Sequence, residues 1–131
     1  MVGLERQRVT GIGGVFWKAA EPAALAAWYV ERLGVPLDPT GSPVLRWHDT
    51  EGGQASTVVA PFPADTTYFA PSTAPFMLNF RVADLDGILA QLRREGCHVL
   101  DVIEEMEFGR FGWVIDPEGN KVELWEPAPG Q

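Results

Sequence analysis

The run Phe111-Gly-Trp-Val-Ile-Asp-Pro-Glu-Gly-Asn-Lys-Val-Glu-Leu-Trp-Glu126 carries more of the fold than any other part of this 131-residue sequence. It reads as strand, tight turn, strand. Asp116 at the first turn position, Pro117 at the second and Gly119 at the fourth are residues that a type I turn selects. The strand that follows alternates, with Val122 and Leu124 on one face and Lys121, Glu123 and Trp125 on the other. A carboxylate beside a tryptophan on an inward face is either a rim residue in water or a pocket group held by partners. A buried charge persists only when it is paired or hydrogen-bonded.

Working back from the hairpin, Phe76 to Val82 reads as a strand. Asp84 is a good N-cap for a helix whose apolar stripe is Leu85, Ile88, Leu89 and Leu92, ended by Gly96. Val99 to Ile103 resumes strand character, and Glu104, Glu105 and Glu107 fall in a loop. The same order occurs earlier in the chain. Val9 to Ala19 reads as a strand with glycines at 11, 13 and 14, which in a strand mark close approach by another group. Pro22 opens a helix, Leu25, Trp28, Tyr29 and Leu33 recur along it with Trp28 and Tyr29 toward a sheet, and Gly34 stops it. Val44 to Asp49 and Ser56 to Ala60 are strands of an antiparallel meander that Pro61 and Pro63 end. Ala64 to Pro75 is a connector.

At an offset of 63 residues, Val15-Phe-Trp-Lys-Ala-Ala-Glu21 lies over Leu78-Asn-Phe-Arg-Val-Ala-Asp84. Lys18 falls on Arg81, Glu21 on Asp84 and Leu25 on Ile88. Each half reads as strand, helix and about three strands. Matching charge and apolar register point to duplication: modules at residues 9–63 and 76–127 inside a single domain, residues 1–131.

Composition bounds the function. An apolar content of 46% supports a real core, and a net charge of −8 with scattered basic residues argues against a nucleic-acid partner. Cys97 is the single cysteine, so there is no internal disulfide and no cysteine-based zinc site. Met1-Val-Gly-Leu-Glu-Arg-Gln-Arg lacks the apolar core of a signal peptide, and no run is long enough to span a membrane. A cytoplasmic protein is expected.

Trp28-Tyr29…Leu33-Gly34, Phe80-Arg-Val-Ala-Asp-Leu-Asp86 and Asp116-Pro-Glu-Gly-Asn-Lys-Val-Glu123-Leu together resemble the vicinal oxygen chelate superfamily, which includes glyoxalase I, bleomycin resistance proteins and extradiol dioxygenases. The resemblance covers residues 9–127. It implies an α+β fold in which two tandem βαβββ modules form a curved mixed sheet around a cup, and it implies a homodimer. Metal-dependent members place four ligands on the cup floor. Mapped onto this chain, those positions are Gly14, Val59 or Ala60, Met77 and Glu123. Of these only Glu123 suits a hard divalent ion, and catalytic sites typically use about three protein ligands. The departure points away from metal-dependent glyoxalase and dioxygenase chemistry; no metal and no cofactor are expected. His48 and His98 fall on no ligand position, although His48 with Glu123 and a partner subunit's residue would make a noncanonical metal site.

If Gly14 and Met77 face inward, so do their neighbours two residues on: Phe16 and Lys18, Asn79 and Arg81, then Glu123 and Trp125. Trp47 and Trp113 add walls. An aromatic cavity with a few convergent polar groups is the usual make-up of a small-molecule pocket. In the structural reading Glu123 pairs internally with Arg81 or Lys18. In the functional one it is a ligand-binding or catalytic carboxylate. Three functions follow: a metal-independent protein that binds a small aromatic or cationic molecule, an enzyme (lyase, isomerase or dioxygenase-like) with Glu123 as base, or a noncatalytic dimeric scaffold with a filled cup.

Overall fold

Val9–Ala19 forms β1, Pro22–Leu33 α1, Val44–His48 β2, Gln54–Pro63 β3, Phe76–Val82 β4, Leu85–Arg94 α2, His98–Val99 β5, Glu104–Met106 β6, Gly109–Ile115 β7 and Lys121–Pro127 β8. These elements come from a computed structural model that describes residues 6–131; Met1 to Glu5, the first part of the segment read for an export signal, lie outside it. The eight strands make one mixed sheet in the order β2-β3-β1-β4-β8-β7-β5, with β6 also on β7. The fold is α+β, as the closing hairpin and the two strand–helix units predict.

The register explains why the sheet curls symmetrically. β1 is parallel to β3 and antiparallel to β4, and β4 is parallel to β8. Phe16 lies opposite Ala60 as Asn79 lies opposite Glu123. Across the β1–β4 junction, Gly14 faces Asn79 and Phe16 faces Met77, with Val15 and Leu78 between them. Exchanging the halves at the 63-residue offset maps each of these pairs onto another, so a local two-fold axis passes through the Val15–Leu78 pair. The first half is the plainer copy. Between α1 and β2 it has only the isolated bridge Leu37–Pro43 in place of a third strand.

Three local expectations are corrected. β3 continues through Pro61 to Pro63 instead of ending there. Val59 sends its N–H away from β1 to the Pro43 carbonyl. Pro61 and Pro63 share that parity, and β2 has ended at that level, so the missing N–H groups leave no neighbour unsatisfied. Strand character after α2 stops at Val99, and the acidic segment supplies β6, whose Glu105 pairs with Arg110 at 3.2 Å. Trp28 stays 48% exposed, whereas its neighbour Tyr29 is half-buried, edge-on to Trp17. α1 buries no residue fully, although Pro22 opens it and Gly34, in the left-handed conformation, closes it as expected.

The two faces of the second half do different work. Val122 and Leu124 point to α2, where Val82, Leu85, Ile88, Leu89 and Leu124 form a buried cluster. Each such side chain contributes about 1.5–3 kcal/mol on burial. Asp84 caps this helix by accepting from the Gly87 N–H at 3.0 Å. The opposite face carries Phe16, Phe69, Met77 and Trp113, with Phe62 and Tyr68 packed against them. That face is the inside of the cup.

Candidate functional site

One cavity of about 230 Å³ opens on the cup face, and its walls come from β1, β2, β3, β4, β7 and β8. A single sheet can supply six strands to one cavity only by curving around it. Gly13, Phe16, Asn79, Phe111, Glu123 and Trp125 form its inner part.

Glu123 is the polar centre. It is 2% exposed, and three side chains donate to its carboxylate. Asn79 Nδ2 donates to Oε1 at 2.7 Å; the Tyr68 hydroxyl and Trp113 Nε1 donate to Oε2 at 2.5 and 3.0 Å. Oε2 is therefore filled, while Oε1 has one protein donor and keeps acceptor capacity. Burial pushes the carboxyl pKa up, and the three hydrogen bonds and the Lys121 charge work against that rise. Burial, and then the Glu123 charge, push the Tyr68 phenol up, so it stays a donor. Lys121 donates to the Tyr68 carbonyl at 2.8 Å with its ammonium 5.2 Å from the Tyr68 ring centroid and 5.3 Å from that of Trp113.

Asn79 is 1% exposed, and its Oδ1 is buried without a hydrogen-bond partner. Its amide is oriented by Glu123: a carboxylate accepts only from the NH2 side. Oδ1 consequently lies over Gly13. A Cβ on Gly13 would stand 2.3 Å from Asn79 Oδ1 and 2.8 Å from Trp125 Cε3, so glycine is what lets the amide and the indole close over β1.

The expected site residues divide. Phe16, Asn79, Glu123 and Trp125 come together at the cavity. Trp113 lies beneath as a donor to Glu123. Arg81 does not pair with Glu123, because the register sets Asn79 opposite Glu123 and Arg81 opposite Trp125. Arg81 instead lies 4.9 Å from the Trp125 ring centroid and 5.9 Å from that of Trp47, which itself covers Gly11. Lys18 is absent from the cup. β1 outruns the cavity, Phe62, Tyr68 and Phe69 fill that end, and Lys18 lines a shallow outer depression with Glu21 and Trp28. His48 is an exposed residue of β2 that does not line the cavity with Glu123, and among the described residues it belongs to no metal-binding cluster.

Tyr68 is the residue that sequence reasoning passed over. It sits in the segment read as a plain connector, which folds over the cup end through successive turns. Its one signal was the aromatic pair Tyr68-Phe69 among prolines and small residues. We expect Tyr68→Phe to cost about 1–2 kcal/mol and to raise the Glu123 pKa further, since a bond favouring the ionised form is lost. Urea unfolding and 13C NMR titration of the labelled carboxyl read both effects.

Residues 14–125 match the glyoxalase-like domain family. The chain belongs to that family, and so to the vicinal oxygen chelate superfamily. Among solved structures it is similar to methylmalonyl-CoA epimerase from Mycobacterium tuberculosis, with 21% identity over 98% of this chain and 95% of that one and a TM-score of 0.60. A methylmalonyl-CoA epimerase from Streptomyces coelicolor in complex with 2-nitronate-propionyl-CoA shares 20% identity over 92% and 99% at a TM-score of 0.65. A protein from Legionella pneumophila named NAD-dependent benzaldehyde dehydrogenase shares 16% over 88% and 98% at 0.55. These likenesses are of fold. No curated protein matches the chain.

The superfamily's usual metal finds poor support in these residues. The two-fold symmetry makes Ala60, not Val59, the counterpart of Glu123, and Gly14 the counterpart of Met77. Of the four, only Glu123 is a hard donor, and its oxygens already accept three protein bonds. Among the described residues no three His, Cys, Asp or Glu side chains cluster in a metal-binding arrangement. The donor set does not fit a catalytic divalent ion.

Proposed function

We propose that this chain binds a small aromatic molecule in its cup, with Glu123 and Asn79 supplying the polar contacts in place of a metal. The observation that carries this reading is the arrangement at Glu123: a buried carboxylate, fixed by three donors, on the wall of an aromatic cavity with Oε1 still able to accept. A ligand group facing it is a donor, such as a hydroxyl, an amide N–H or an ammonium. The cavity is smaller than the roughly 300–1,000 Å³ of drug-sized sites, which favours a single-ring ligand. An open cavity between Phe16 and Trp125 speaks against a scaffold whose cup is packed solid. The unburied side of α1 suits the homodimer that goes with this reading.

Titration with phenol, followed by tryptophan fluorescence, tests it. Saturable quenching that Glu123→Gln weakens is the expected result. No saturation, together with a crystal structure showing side chains filling the cavity, ends the reading.

The raised Glu123 pKa supports a second reading, an enzyme in which Oε1 takes a proton from a bound substrate. Such a base would catalyse exchange of an acidic carbon-bound ligand proton for deuterium in D2O. Exchange with the native protein and none with Glu123→Gln supports catalysis; binding without exchange leaves a binding protein.

A further inference from the structure

Arg81 is 7% exposed, yet no Asp or Glu carboxylate lies within 4 Å of it among the described residues. Its guanidinium is held by oxygens of the main chain: Nη1 donates to Ser56 O at 3.3 Å and Nη2 to Gln131 O at 2.8 Å. Five N–H donors are available and these bonds use two. Burial lowers its pKa, and the Asp49 charge opposes this only in part. A cation this deeply buried with no side-chain carboxylate beside it is uncommon. Here every group that touches the guanidinium except Trp47 also lines the cavity: Ser56, Gln131 and Trp125. Arg81 itself lies behind these groups, and the outer wall of the cavity carries one basic and one acidic side chain, Arg46 and Asp38.

We propose that Arg81 is the anion subsite of the cup, taking the carboxylate of the bound ligand in place of the Gln131 oxygen. The inference rests on the reading of the cup as an aromatic-ligand site and names its ligand class: an aromatic carboxylate carrying a hydrogen-bond donor at its other end. Three features favour a carboxylate over a phosphate. The guanidinium stands between two indole rings, Trp47 and Trp125, so its free edge is a slot. A planar carboxylate meets a planar guanidinium edge-on with two parallel bonds. The occupant of the slot now is an oxygen of the planar main-chain group of Gln131, the last residue of the sequence. Spacing agrees as well. Asn79 and Arg81 are two residues apart on β4, roughly 6.6–6.8 Å along the strand, a distance that a para-disubstituted benzene ring bridges. One end of the ligand then meets Arg81 and the other meets Glu123 Oε1 and the unpartnered Asn79 Oδ1.

The test compares 4-hydroxybenzoate with 4-hydroxybenzamide at pH 7 on the full chain. The two differ in the charge of one planar substituent. We expect the acid to bind about tenfold tighter or more, and Arg81→Met to erase that preference while phenol binding persists. Arg46→Met, which alters the outer wall, is expected to leave most of the preference intact. Equal affinity of the native protein for the two compounds overturns the subsite and leaves the aromatic cup standing. Failure of both compounds and of phenol to bind overturns the cup and the subsite together. The native comparison decides even if Arg81→Met does not fold.

Discussion

Replacing Glu123 by leucine is expected to destabilise the protein by about 3–5 kcal/mol, because three buried donors lose their acceptor at once. Trp113 Nε1 and Asn79 Nδ2 have no second acceptor among the described residues. Glutamine at the same position is expected to cost about 1 kcal/mol or less. Its amide oxygen still accepts from Tyr68 and Trp113. Its NH2 group would face Asn79 Nδ2, but Asn79 can flip, presenting the Oδ1 that has no partner in the native protein. Urea unfolding of the three proteins measures the difference, and a leucine variant as stable as the glutamine one would refute the account.

The pH dependence follows from the same pair. Burial holds the folded-state pKa of Glu123 above its unfolded value. Below the unfolded value the group is protonated in both states and costs nothing. As pH rises through the folded value, the native protein must ionise a buried carboxyl, and the stability of the protonated form is lost. Native stability relative to Glu123→Gln should therefore fall as pH rises above the ordinary carboxylate range. Asp38 and Asp116, whose hydrogen bonds lower their pKa, act with the opposite sign and cancel in the comparison.

Gly109→Ala is the second large effect, expected at about 3–4 kcal/mol. Gly109 has φ +134°, a region closed to residues with a side chain. A Cβ there would stand 2.2 Å from the Glu126 carbonyl oxygen and 2.8 Å from the Ala128 nitrogen, both main-chain atoms that cannot move without parting β7 from β8. The Phe108 carbonyl next to it accepts from Trp125 Nε1 at 2.9 Å and from the Ala128 N–H at 2.9 Å, so the cavity wall should fail along with the strand pair. Gly112→Ala is the control. Its nearest contact would be Leu89 Cδ1 at 3.0 Å, the end of a flexible side chain, and a loss near 1 kcal/mol is expected. Thermal melts and phenol titration of both variants check this.

What was legible in the sequence was whatever a local signal carries. The turn at Asp116 forms as expected, with the Gly119 N–H on the Asp116 carbonyl at 3.0 Å. Both helices start and stop at their Pro, Asp and Gly signals, and alternation put Glu123 and Trp125 on the cup face. Lateral order was not legible. Parity places Asn79 and Arg81 on one face, but only the register with β8 decides which of them meets Glu123. Nor does parity say where a cavity ends: Lys18 shares a face with Phe16 but lies beyond aromatics contributed from 44 to 51 residues downstream, Phe69 among them. Tyr68 was hidden for the same reason. A segment without periodicity has no local cause for its path, which is set by the surface it covers.

The position of β1 has a consequence for how the chain is assembled. It is the first strand in sequence, yet it stands inside the sheet, flanked by β3 and β4. One edge is covered when Gln54–Pro63 is available; the other stays bare until Phe76–Val82 is made. During synthesis the N-terminal half therefore waits with an open hydrogen-bonding edge that carries Val15 and Phe16. Long-range pairings of this kind slow folding, and bare edges invite pairing with other chains. Ribosome-bound chains stalled after β3 should bind holdase chaperones, and chains stalled after β4 should release them.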